Sequence, residues 1–167
     1  SEKMEKALNK QINEEYFSAY LYLSMASYFD SINLAGFSNW MRVQSLEEMS
    51  HVMKFFDFVI ERGGRVQLDA IKKPDIEWAS PLAAFEDAYK HECFISGCIN
   101  DLVTLSLENN DHASDNFLQW FVGEQVEEEA SADGIVQKLK LVGDNGPGIF
   151  MIDQEMATRV FTPPPAE

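Results

Sequence analysis

Four long stretches of this chain repeat core-type positions at alternating steps of three and four residues, the period of an amphipathic helix. The first runs through Leu8, Ile12, Glu15, Ala19, Tyr22, Ala26 and Phe29 and ends near Asp30, and a short connection over 31–36 follows. The second runs through Phe37, Met41, Gln44, Glu48, His51, Phe55 and Phe58 and stops at Gly63-Gly64, as a helix C-terminus does. The third passes Phe85, Ala88, Glu92, Ile95, Ile99 and Leu102 and ends at Asn109-Asn110-Asp111. The fourth passes Phe117, Phe121, Glu124, Glu128, Ser131, Ile135 and Leu139 and stops at Gly143. Four stripes of this kind can be buried only against one another, so the expected class is all-α, a four-helix bundle.

Residues 63–80 lose the helical period. Val66, Leu68 and Ala70 alternate with polar residues, Pro74 follows, and Ser80-Pro81 reads as an N-cap with proline at N1. Helices of about 27 residues are roughly 40 Å long, and an extended link of this size reaches up to about 60 Å. It can therefore cross the whole bundle and set the third helix parallel to the second. Two antiparallel hairpins joined by one long crossover are expected: a bundle over 1–142 with the crossover at 63–80, a short fifth helix within 143–160, and a tail over 161–167. Ile149, Phe150, Ile152 and Met156 make the fifth segment too apolar to stand free in water, so it should pack on the bundle end or on a neighbouring subunit.

The chain has 167 residues, enough for one domain with a sizeable core. Its formal charge of −15 argues against binding nucleic acid or an anionic membrane surface, both of which call for a positive face. Small cations are better partners. No apolar run reaches the roughly 18 residues needed to span a bilayer. Cys93 and Cys98 have neither the spacing of a redox pair nor the number of a disulfide framework, which suits a reducing, cytoplasmic setting.

Acids stand where apolar residues belong. Glu15, Glu48, Glu92 and Glu128 each occupy the core stripe of a different helix, and His51 lies three residues after Glu48 on the same face. Each falls about 17 to 24 Å along its helix, so all four meet at mid-depth. An ionised carboxylate buried without a partner costs several kcal/mol. Lys54, Arg62, Lys90 and Lys140 fall on other faces or near helix ends. Two divalent metals would balance four carboxylates, and oxygen-rich ligation with one imidazole suits iron or manganese. Inward-facing Glu with Glu-x-x-His is a di-iron pattern.

Other residues keep two readings. Glu124 and Glu127, with Glu47 beside Glu48, form either a further cation site or a solvated face. Gln125 supplies an amide beside the metals or makes an inter-helix hydrogen bond. Tyr22 bonds a ligand carboxylate, donates an electron, or is a buried tyrosine with its hydroxyl satisfied. Trp120 reads as packing, His91 as surface, and His112 as an exposed turn residue.

The stretches Asn13-Glu14-Glu15-Tyr16-Phe17-Ser18, Glu47-Glu48-Met49-Ser50-His51, Tyr89-Lys90-His91-Glu92, Phe117 to Phe121 and Glu124 to Glu129 resemble the non-haem bacterial and archaeal ferritins, over essentially the whole chain. The resemblance implies a ferroxidase centre in which Glu15, Glu48 and His51 hold one iron, Glu48 bridges to a second held by Glu92 and Glu128, and Gln125 sits close by. It also implies a third iron site at Glu47, Glu124 and Glu127 with Glu128 shared, a role for Tyr22, and a cytoplasmic shell of 24 subunits in which Fe²⁺ is oxidised by O₂ and stored as mineral. Ser131 stands where bacterioferritins carry a second Glu-x-x-His histidine, which weakens that reading and that of rubrerythrin. Met49 occupies the place of their haem-ligating methionine, yet haem is disfavoured. The alternatives are a passive iron-binding cage and a di-iron peroxidase.

Overall fold

A computed structural model describes residues 1–163. Five helices follow one another: α1 (Glu2–Ser31), α2 (Ala35–Glu61), α3 (Pro81–Glu108), α4 (His112–Val142) and α5 (Gly146–Met156), with no strand among the described residues. The proposed tail lies partly beyond them, at 164–167.

Two tight turns make the hairpins. Asn33 (φ 60°) joins α1 to α2 and Asn110 (φ 51°) joins α3 to α4; asparagine is among the few residues that enter the left-handed region readily. Asp111 then caps α4, its side chain accepting from Ser114 N. His112, exposed, is the first residue of that helix.

The crossover is extended and lies along α1. Asn9 donates to the Arg65 carbonyl and accepts from Gln67 N, Asn13 reaches the Ala70 carbonyl, Ser24 donates to the Asp75 carbonyl, and the Trp78 ring meets Tyr28 edge-on. The link thus starts beside the beginning of α1 and ends beside its end. Because α1 and α2 are antiparallel, α3 starts at the same end as α2 and runs parallel to it. The alternation of Val66, Leu68 and Ala70 does not bury one face: Val66 is half-buried, while Leu68 and Ala70 are exposed. Asparagine side chains that satisfy the link's backbone hold it instead.

The α1–α2 connection is shorter than its sequence suggests, because α2 begins at Ala35. Leu34 offers no capping side chain. The cap comes from α5: buried Asp153 accepts from Gly36 N at 2.8 Å and Phe37 N at 3.0 Å. The two helices meet so closely that a Cβ at Gly36 would lie 1.7 Å from the Asp153 carbonyl oxygen. Replacing Asp153 by Ala orphans two buried N–H groups, and we expect a loss of about 2 kcal/mol, with the C-terminal segment opening first. A lower Tm together with faster proteolysis beyond residue 143 would check this.

The fifth helix also starts earlier than its apolar pattern indicates, since Asn145 caps it through Gly148 N. Ile152 and Met156 are buried in the bundle end, while Phe150 and Met151 remain exposed.

The core has two apolar halves. One gathers Phe29, Phe37, Met41, Phe85, Leu139 and Ile152 at the α5 end; the other gathers Leu8, Ile12, Phe55, Ile99, Leu118 and Phe121 at the far end. The buried side chains of Glu15, Gln44, Glu48, His51, Glu92, Gln125 and Glu128 lie in the layer between them.

Candidate metal centre

Each of the four long helices sends one carboxylate into that layer. Glu15, Glu48, His51, Glu92 and Glu128 are all 5% exposed or less, so none is reached by bulk water. On α4 the buried stripe reads Leu118, Phe121, Gln125, Glu128, Ala132, Ile135 and Leu139. It therefore passes through Gln125 rather than Glu124, and through Ala132 rather than Ser131, which is exposed.

The ligand-type atoms fall into overlapping groups, each with its atoms within 4.8 Å of one another. Glu15, Glu48 and His51 form one and Glu48, Glu92 and Glu128 a second, so Glu48 belongs to both; His51, Glu124 and Glu128 form a third. His51 Nδ1 lies 3.1 Å from Glu48 Oε2 and 3.7 Å from Glu15 Oε2, while Nε2 is 4.0 Å from Glu124 Oε1. Its ring is held edge-on by Trp120 and Phe121, which gives Trp120 a packing part at the site's wall.

Glutamines brace the acids. Gln11 donates to Glu15 Oε1 at 2.7 Å, and Gln44 to Glu128 Oε2 at 2.6 Å and Glu48 Oε1 at 3.2 Å. Gln125 donates to Glu92 Oε2 at 3.1 Å and to the Glu92 carbonyl at 3.2 Å. The buried Tyr22 hydroxyl donates to Glu92 Oε1. Sequence reading missed Gln11 and Gln44 as parts of the site, although each lies four residues before its carboxylate, one helical turn away on the same face.

Burial dominates the electrostatics. It raises Glu48 well above the usual carboxylate range, with Glu92 adding to it. It raises Glu92 to about 7 and Glu128 to about 8, the second also repelled by Glu92. For His51 burial pulls the pKa down, but the facing Glu48 and Glu15 outweigh it and leave it well above the ordinary imidazole value. Burial and Glu92 likewise raise Tyr22. A site that resists ionisation this strongly, yet is built of carboxylates, suits a cation that would neutralise it. Glu15 Oε2 gives a direct test of that fit: among the described residues it is the one buried side-chain polar atom without a hydrogen-bond partner, and it belongs to a side chain grouped with Glu48 and His51.

The outer acids are arranged differently from the expected set. Glu124 is half-buried and joins His51 and Glu128, but Glu127 is exposed and belongs to none of the three groups. Glu47 is ion-paired with Arg159 at 2.6 Å, a cation arriving from beyond α5 that the chain's linear pattern does not flag. It pairs with none of the five innermost residues.

His91 corrects another expectation. It is not a surface residue but half-buried, its Nε2 2.7 Å from Ser18 Oγ and its ring among Phe17, Tyr22 and Phe94; burial lowers its pKa to about 4. His91 is packed from α1, by Ser18, Phe17 and Tyr22, which a single-stripe reading of α3 does not anticipate.

A family model described as a ferritin-like domain matches residues 5–142. A bacterial non-heme ferritin of Bacteroides fragilis is 44% identical over 159 residues, covering 95% of this chain and 99% of the relative. One from Campylobacter jejuni is 42% identical over 154 residues, covering 92% of each. Among solved structures, a closed form of the Archaeoglobus fulgidus ferritin made by site-directed mutagenesis superposes with a TM-score of 0.96 at 60% identity, over 97% of this chain and 99% of that one.

Proposed function

Because the chain belongs to the ferritin family, we propose that it stores iron and acts as a ferroxidase, oxidising Fe²⁺ with O₂ at the buried carboxylate layer. The single observation that carries this reading is the pair of ligand groups that share Glu48. One Fe²⁺ would be held by Glu15, Glu48 and His51, a second by Glu48, Glu92 and Glu128, with Gln125 and Tyr22 fixing Glu92. Two Fe²⁺ supply +4 to four ionised carboxylates, and each gives one electron, so the pair hands two electrons to one O₂.

The protein's own contribution is orientation and charge. Glutamine amides hold the carboxylates in place before iron arrives, so little reorganisation is left for the oxidation step. Protons displaced from Glu92 and Glu128 leave as the metals bind. A third Fe²⁺ at Glu47, Glu124 and Glu128, with exposed Glu127 within the same helical turn, would take iron on its way to or from the pair.

Assembly and location belong to the same proposal. Phe150, Met151 and Leu141 are largely exposed near the C-terminal end, and Tyr20, Leu23 and Ile76 are exposed on α1 and the crossover. Apolar patches of this kind support burial between copies of the chain, in a hollow shell of 24 subunits located in the cytoplasm. Among the described residues no helix is long and apolar enough to cross a membrane.

The test is an anaerobic Fe²⁺ titration followed by admission of air. We expect two tight Fe²⁺ per chain and fast, pairwise oxygen consumption, with about two irons oxidised per O₂ in the first turnover. Slow uptake without a fast phase would point to a passive store, and faster oxidation by peroxide than by O₂ to a peroxidase. Light scattering tests the shell, and cell fractionation the location.

A further inference from the structure

Arg159 lies three residues beyond α5, yet its guanidinium is laid along a face of α2. Asn39 holds the local backbone, donating to the carbonyls of Met156 at 3.1 Å and Arg159 at 3.0 Å. The guanidinium stacks on the Trp40 ring, 4.2 Å from its centroid, and donates to the Trp40 carbonyl at 3.3 Å. Its Nη2 donates to Gln44 Oε1 at 2.8 Å and Glu47 Oε2 at 2.6 Å. Four contacts from α2 to the guanidinium, with Asn39 holding the backbone behind it, therefore place one positive charge at the edge of the carboxylate layer. This is a built seat, unlike the chain's exposed pair between Lys6 and Glu2.

We propose that Arg159 is the internal counter-ion of the outer cation position: it holds Glu47 while that position is empty, and a third Fe²⁺ must take Glu47 from it. The inference rests on the reading of Glu47 as an outer ligand. Glu47 is half-buried, and burial raises its pKa while Arg159 opposes that and Glu124 adds to it. Without the guanidinium, Glu47 would have His51 to set against burial and the Glu124 charge. With it, the outer position carries a resident positive charge that an incoming divalent cation must displace or tolerate. The two inner irons meet no such competitor, since Arg159 bonds none of the carboxylates that would hold them. The order of filling follows: the inner pair first, the outer position last.

Arg159 also fixes which way round Gln44 sits. By taking Oε1, the guanidinium leaves Nε2 to point at Glu48 and Glu128. It is a positioning residue with respect to the inner pair and a competitor with respect to the outer cation.

Calorimetric titration of the assembled, metal-free protein with Fe²⁺ under argon tests this. Arg159→Gln should bind the third Fe²⁺ roughly tenfold more tightly relative to the first two, the effect of removing one positive charge a few ångströms from a divalent ion. Arg159→Lys keeps the charge without the fork and should leave the third affinity within about threefold of the unaltered chain. A third affinity that is unchanged or weaker in Arg159→Gln overturns the proposal, as does a lysine variant that behaves like the glutamine one. Fewer than two tight sites in the unaltered chain would sink the di-iron reading and this inference together, whereas two tight sites and a third indifferent to Arg159 overturns this inference alone.

Discussion

Replacing Glu48 by Gln should slow rapid Fe²⁺ oxidation by more than about a hundredfold while leaving the metal-free protein as stable as before, or more so. Both halves follow from one residue's position. Glu48 is the only side chain common to the Glu15–Glu48–His51 and Glu48–Glu92–Glu128 groups, so its loss takes a ligand from both cations and removes the bridge between them. Losing an outer-shell partner already costs about 10- to 100-fold, and a shared ligand should cost more. Stability moves the other way because burial and Glu92 push the Glu48 carboxyl well above the usual range. A neutral amide of the same shape accepts from Gln44 as Glu48 Oε1 does and carries no charge to desolvate, and His51 keeps Glu15, 3.7 Å away, as its facing carboxylate. Stopped-flow absorbance after mixing with aerated Fe²⁺ reads the first effect and the thermal midpoint of the metal-free protein at pH 8 the second. A variant as fast as the unaltered chain refutes the bridging role. A variant that is slow and also several degrees less stable would mean that Glu48 is a structural residue, not a ligand.

Why the centre was legible in the sequence while its surroundings were not comes down to the distance over which each feature is encoded. Glu15, Glu48, Glu92 and Glu128 break a 3.6-residue apolar repeat, and a break in a local period is visible within one helix. Their meeting at one level followed from helix length alone, and the structure does gather them between two apolar halves of the core. Gln11 and Gln44 were equally local and were passed over because a glutamine on a stripe looks like a tolerated polar residue until the carboxylate one turn later is considered. The cap on α2 was of another kind. Nothing near Leu34 suggests that the helix starts at Ala35, because the capping carboxylate of Asp153 is 117 positions from Gly36. Arg159 and Glu47 are similarly 112 apart. The crossover fell between these extremes: its length predicted that it runs the full bundle, but not that asparagines of α1 hold it rather than a buried face of its own.

Metal-free protein should lose stability as pH rises from about 5 to about 8, and divalent metal should reverse that slope. The sign follows from linkage. Glu92 and Glu128 move from an ordinary 4.5 to about 7 and about 8, chiefly through burial. A carboxyl whose folded-state pKa lies above its unfolded value binds more protons when folded, so its stabilising contribution is full below pH 4.5 and disappears as pH passes through the folded value. His51, raised by Glu48 and Glu15 against the pull of burial, acts in the same direction, losing its proton late as pH rises. At about 1.4 kcal/mol per unit, Glu92 and Glu128 together should lower stability on the order of 6 kcal/mol per chain across this window. Asp30 and Asp111 have the opposite sign: the Arg42 hydrogen bond lowers Asp30, and for Asp111 bonds from Ser114 and Arg62 outweigh burial. Their contribution fails only as pH falls below about 4, outside the window. Zn²⁺ at two equivalents per chain binds the ionised carboxylates and releases their protons, so it should raise the thermal midpoint far more at pH 8 than at pH 5. Calorimetric scans at pH 5, 6.5 and 8, with and without Zn²⁺, separate the two arms. Stability of the metal-free protein that is flat or rising over this range would mean that the buried acids ionise without cost, and the electrostatic reason for placing cations among them would be gone.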